Sequence, residues 1–108
     1  MEIKKMDWKL FRERISDWQE RYMEKLVEEY AELLASDADA SEKFWSLDKR
    51  LREDKKHPGV QMNLNKGQLD VDLVRLVKEG VVEYEDLDGF SDELVESVKT
   101  LGNLGREL

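Results

Sequence analysis

Apolar residues recur at steps of three and four along the first third of the chain: Trp8, Phe11, Ile15, Trp18, Tyr22, Leu26, Tyr30 and Leu33. That spacing keeps them on one face of an α-helix. Met23, Val27 and Leu34 widen the stripe to roughly half the circumference, whereas Leu10 falls off it. The opposite face carries Glu13, Asp17, Glu20, Arg21, Glu24 and Glu28. No Gly or Pro interrupts residues 2–36, and Asp7 is a candidate N-cap. A helix over 8–35 would be about 42 Å long, against a radius of gyration of about 13 Å for a compact domain of this size. So long a helix requires either an elongated fold or a second copy covering part of its stripe.

The polar break Ser36-Asp37-Ala38-Asp39 ends this element. Asp39 with Glu42 resembles a capping box, and Ser41 is the competing N-cap. A second helix is predicted over 41–56, with Phe44, Trp45, Leu47 and Leu51 as its buried side. His57-Pro58-Gly59 stops it, because the residue before Pro disfavours α geometry. Val60 to Leu64 alternates apolar and polar, but one short strand has no partner, so an extended linker or a helical turn is expected. Leu69, Val71, Leu73, Val74, Leu76 and Val77 predict a third helix over 68–79, with a strand as the competing reading of its β-branched content. Gly80 sits where a helix C-terminus favours αL geometry, and Val81 can supply the accompanying apolar contact. A further turn is expected over 85–89. Ser91 caps a last helix over 91–101 carrying Leu94, Val95, Val98 and Leu101, which Gly102-Asn103 should end before a frayed tail. The fold expected is all-α: one domain of about four helices, the first long and amphipathic.

Composition narrows what such a bundle does. Among 108 residues there is one His and no Cys, which removes disulfides, thiolate nucleophiles and zinc–cysteine sites and fits a reducing cytoplasm. No run approaches the 18 or so apolar residues of a membrane span, and the charge-threaded N-terminus lacks a signal-peptide h-region. The net charge of −8 falls mostly on residues 58–108. Such acidity repels nucleic acid overall and favours basic partners.

His57, alone and beside a Pro in a basic helix end, reads as a capping or surface residue. Asp86-Leu87-Asp88-Gly89 suggests a calcium loop, but with Gly89 at the sixth position Tyr84 and Val95 would stand where oxygen ligands are needed. No Gly-rich phosphate loop is written. No catalytic residue, metal ligand or cofactor is therefore predicted. Two charged clusters remain. Glu83, Glu85, Asp86, Asp88, Asp92, Glu93 and Glu96 form an uninterrupted acidic segment that could imitate a phosphate backbone; its bland reading is a solvated surface. Lys49, Arg50, Arg52, Lys55 and Lys56 could grip phosphates, or simply close a helix beside Asp48, Glu53 and Asp54. Trp8, Trp18 and Tyr22 are core candidates, or interface anchors if the long stripe outruns the fold.

The stretches KFWSLDKRLREDKKHPGV (43–60), GFSDELVESVK (89–99) and DWKLFRERISDWQERYMEKL (7–26) resemble a family of short uncharacterised bacterial proteins from Gram-positive genomes and their mobile elements. Some of its members carry a "multidrug transporter" label. The resemblance spans most of the chain and implies no ligand or catalytic residue. It implies a context in which small acidic proteins of phages and conjugative elements inhibit host defence nucleases or regulate transfer. The expectation is a non-enzymatic protein-binding module of anti-CRISPR or anti-restriction kind, its acidic face on a basic nucleic-acid-binding protein. Direct nucleic-acid binding through 49–56 and a homodimer through the long helix are the alternatives.

Overall fold

The computed structural model describes residues 1–107, with side chains through Leu104. Four α-helices run in the order α1 (Lys5–Ala35), α2 (Ala40–Asp54), α3 (Leu69–Lys78) and α4 (Asp92–Glu107), with short 3₁₀ turns at Lys66–Gln68 and Tyr84–Leu87. No strand occurs among the described residues, so the β-branched segment 71–77 is helical. None of these helices is long and apolar enough to cross a membrane.

The core forms where the N-terminal half of α1 meets α3, α4 and the segment joining them. Phe11, Ile15 and Trp18 of α1 pack with Leu69, Leu73 and Leu76 of α3, Leu94 and Val98 of α4, and Val81, Val82, Leu87 and Phe90 between them. Phe11, Trp18 and Phe90 make a tilted aromatic series with centroid spacings of 6.2 and 6.3 Å. Leu10, off the predicted stripe, also packs against this core, because the 81–90 segment wraps round to the side of α1 on which it lies.

Two turns follow the predicted chemistry. Gly80 has φ +76°, the Val81 amide reaches back to the Leu76 carbonyl at 2.9 Å, and Val81 is buried. Ser91 caps α4, its hydroxyl accepting from the Leu94 amide at 3.3 Å.

Three expectations need correction. Asp7 does not cap α1, which begins at Lys5. It is buried, and its carboxylate accepts from the Ser91 amide at 2.8 Å and the Ser91 hydroxyl at 2.6 Å, so it fastens the start of α1 to the start of α4. Gly102-Asn103 does not end α4, which continues to Glu107. Gly102 is instead the small residue that admits the Tyr84 hydroxyl, 3.0 Å from where a Cβ would stand. Finally, α2 has no buried residue. Its predicted apolar side meets chiefly α1 among the described residues, and the α1–α2 hairpin extends from the core as an arm. The molecule measures 52 × 32 × 22 Å, with a radius of gyration of 16.7 Å, well above the compact value because of that arm.

Candidate functional site

The acidic segment is folded onto α1, and its charge is partly answered there. Arg21 gives a two-pronged hydrogen bond to Asp86 at 2.9 and 3.1 Å and a third bond to the Val81 carbonyl at 3.1 Å. Asp86 also accepts from the Glu83 amide at 2.8 Å, while Glu83 answers to the Asp86 amide in a reciprocal cap of the 3₁₀ turn. The Arg21 guanidinium holds the Asp86 carboxyl below the usual carboxylate range, against the opposing effect of desolvation. Arg14 donates to the Asp86 and Asp88 carbonyls and lies over the Phe90 ring at 5.4 Å. Gly89 permits this approach. Its φ is +96°, and a Cβ there would meet Arg14 Nη2 at 2.9 Å.

Of the seven carboxylates, then, Glu83 and Asp86 are structural. Glu93 pairs with Lys4 at 3.2 Å in an exposed contact, which contributes little. Glu85, Asp88, Asp92 and Glu96 are exposed and outside the ion pairs among the described residues.

The basic helix end is also partly answered. Arg50 pairs with Glu29 at 3.4 Å and Asp54 at 3.6 Å, and its guanidinium lies 5.3 Å from the Tyr30 ring centre. Arg52 pairs with Asp48 at 2.8 Å. Lys49, Lys55 and Lys56 are exposed. His57 is neither a surface residue nor a simple cap. Its ring stacks on Tyr22 with centroids 4.4 Å apart and planes at 3°, and Nδ1 accepts from the Gly59 amide at 3.0 Å. Gln19 donates to the Pro58 carbonyl at 3.0 Å. The His-Pro-Gly turn thus clasps the middle of α1 and fixes the base of the arm.

Of the three anchor candidates, Trp18 is buried to 6% exposure and belongs to the core. Trp8 is half-buried against Phe11, and Tyr22 is half-buried under His57. The aromatic residues left in the open are two the sequence pattern assigned to a core: Phe44 at 65% and Trp45 at 63% exposure, set edge to face at 5.0 Å. Further along the hairpin, α1 and α2 enclose a groove of about 240 Å³ lined chiefly by Met23, Leu26, Val27, Tyr30, Leu51 and Val60. At its floor the Tyr30 hydroxyl donates to Asp54. Burial, then that bond, push the Tyr30 phenol up to about 12. The signal for this surface was the length of the stripe itself, since Val27 and Leu34 extend apolar character past the reach of the core.

No group of His, Cys, Asp or Glu among the described residues is arranged to hold a metal ion. Comparison with protein-family models, curated proteins and solved structures finds no match.

Proposed function

We propose that this chain is a non-enzymatic protein-binding module that makes its contacts through the α1–α2 arm. The observation that carries the reading is the exposed Phe44–Trp45 pair on the same hairpin as an apolar groove. Large aromatic side chains supply much of the energy at protein interfaces, and a monomer gains nothing from leaving two in water. Capture from a host lysate on immobilised chain tests this. A protein retained by the native chain is expected to be lost with Phe44→Ser/Trp45→Ser, a substitution at exposed positions that leaves the fold intact. Equal retention by both baits overturns the reading.

A second reading keeps the acidic surface as a nucleic-acid mimic, of the kind that inhibits a defence nuclease. It is supported by Glu85, Asp88, Asp92 and Glu96, which are exposed and outside the ion pairs among the described residues. Reversing Glu85, Asp88 and Asp92 to Lys tests it without touching the structural Asp86. Displacement of DNA from a basic nuclease by the native chain, and none by the variant, is the expected result. Equal displacement by both removes the mimicry.

A further inference from the structure

We infer that the apolar face of the arm is covered by a second copy of this chain, in a two-fold antiparallel four-helix bundle; this rests on the arm being the binding surface. At 100° per residue, Met23, Val27, Tyr30 and Leu34 follow one line along α1. Phe44, Leu51 and the Lys55 stem follow the matching line on α2, and the groove lining places both lines on the same side of the hairpin. Exposed Val27, Leu34, Phe44 and Leu51 make this a two-helix apolar layer that nothing among the described residues covers. A pair of antiparallel helices with one open apolar face is half of a four-helix bundle.

Charge decides what fits on it. Along the outer flank of α1, Glu20, Glu24 and Glu28 run beside Met23 and Val27. The outer flank of α2 carries Lys49, Arg52 and Lys56. The face is therefore apolar at its centre, negative along one edge and, Asp48 apart, positive along the other. The Glu29–Arg50 contact sets the helix register, and it brings Glu28 level with Arg52 and Glu24 level with Lys56 on opposite edges of one arm. A two-fold axis parallel to the arm lays each α1 antiparallel on the partner's α2. It sets the negative edge of each copy against the positive edge of the other at both seams, with Glu28 facing Arg52 and Glu24 facing Lys56. An axis across the arm would put α1 on α1 and carboxylate on carboxylate, a juxtaposition that is penalised. The exposed Arg52–Asp48 pair is a surface contact of little worth and does not hold Arg52 back. One surface matching itself under one operator is what an isologous dimer requires.

Sedimentation equilibrium of the full chain from micromolar to millimolar concentration tests the inference, with circular dichroism confirming that each variant is folded. The native chain is expected to pass from the mass of one chain to that of two. Val27→Asp, at an exposed position, should leave a folded monomer. Glu24→Lys/Glu28→Lys and Arg52→Glu/Lys56→Glu should each weaken association at least tenfold, and the four changes combined should restore it. A native chain that stays monomeric throughout, a dimer indifferent to Val27→Asp, or a fourfold variant no tighter than its halves overturns the bundle. If the chain is monomeric yet the Phe44/Trp45 variant still loses a captured protein, the second copy is wrong and the arm reading stands. If neither self-association nor capture depends on the arm, both fall.

Discussion

Asp86 shows how one residue can carry a fold where a sequence pattern suggests a ligand. In the chain it is one of seven like charges; in the molecule it is the acceptor for Arg21 and for the Glu83 amide. Its carboxyl titrates below the ordinary range, so the folded state binds its proton more weakly than the unfolded chain does. The linkage follows in sign: this stability is present above the unfolded carboxyl value of about 3.9 and is lost as pH falls through the lower folded value. Arg21→Ala should therefore lower the urea midpoint at neutral pH and flatten the loss of stability below about pH 4. Parallel acid limbs in the two proteins would show that the pair does not act this way. Gly59 is the second case. A Cβ there would stand 2.3 Å from the Tyr22 ring, the ring that stacks on His57. Gly59→Ala is expected to cost about 1–3 kcal/mol by overpacking, read from chemical denaturation, and to disturb α2 more than α3 or α4 in an amide spectrum.

At the scale of elements, the helices were legible and their roles only half so. Periodicity places all four because a helix writes its buried side every three or four residues, and Gly80 and Ser91 mark their boundaries through backbone chemistry alone. Periodicity does not say whether an apolar side has anything to bury against. Hence Phe44, Trp45 and Leu51 looked like core in the sequence and stand exposed. The clasp of Asp7 on Ser91 was illegible for a related reason. It joins residues 84 positions apart, and a buried carboxylate in a first helical turn looks the same in sequence as an exposed one. This contact yields a test at its own scale. Asp7→Ala leaves the Ser91 amide and hydroxyl without their acceptor at the junction of α1 and α4. A loss of about 1–2 kcal/mol is expected, as for removal of a helix cap, and Asp7→Asn should recover part of it through its remaining carbonyl oxygen. Thermal denaturation of the three proteins decides the matter; an Asp7→Ala chain as stable as the native one would mean the clasp contributes nothing net.

The whole molecule divides its stability unequally, and that division makes the binding surface measurable. Phe11, Leu69, Leu73, Leu76, Leu94 and Val98 are sealed from solvent at one end, while at the other α2 contributes no buried residue. It is held by half-buried contacts, the Tyr30–Asp54 bond, the Arg50 pairs and the His57 clasp. Regions with few buried apolar contacts open locally at a lower free energy than the core. Amides of α2 are therefore expected to exchange with solvent faster than those of α3 and the N-terminal half of α1, by a sub-global opening that releases α2 while the core stays closed. The same quantity responds to whatever covers the arm, because a partner that binds only the closed hairpin stabilises it by mass action. Protection of α2 should rise as the concentration of the chain rises, while that of α3, already limited by global unfolding, should change less. In Val27→Asp the dependence of α2 protection on concentration should vanish with no change in α3. Hydrogen exchange followed by mass spectrometry at two protein concentrations reads all three statements at once. Protection of α2 equal to that of α3 at every concentration would mean that the arm and the core are a single cooperative unit, and protection of α2 that does not rise with concentration would mean that the apolar face of the hairpin stays open.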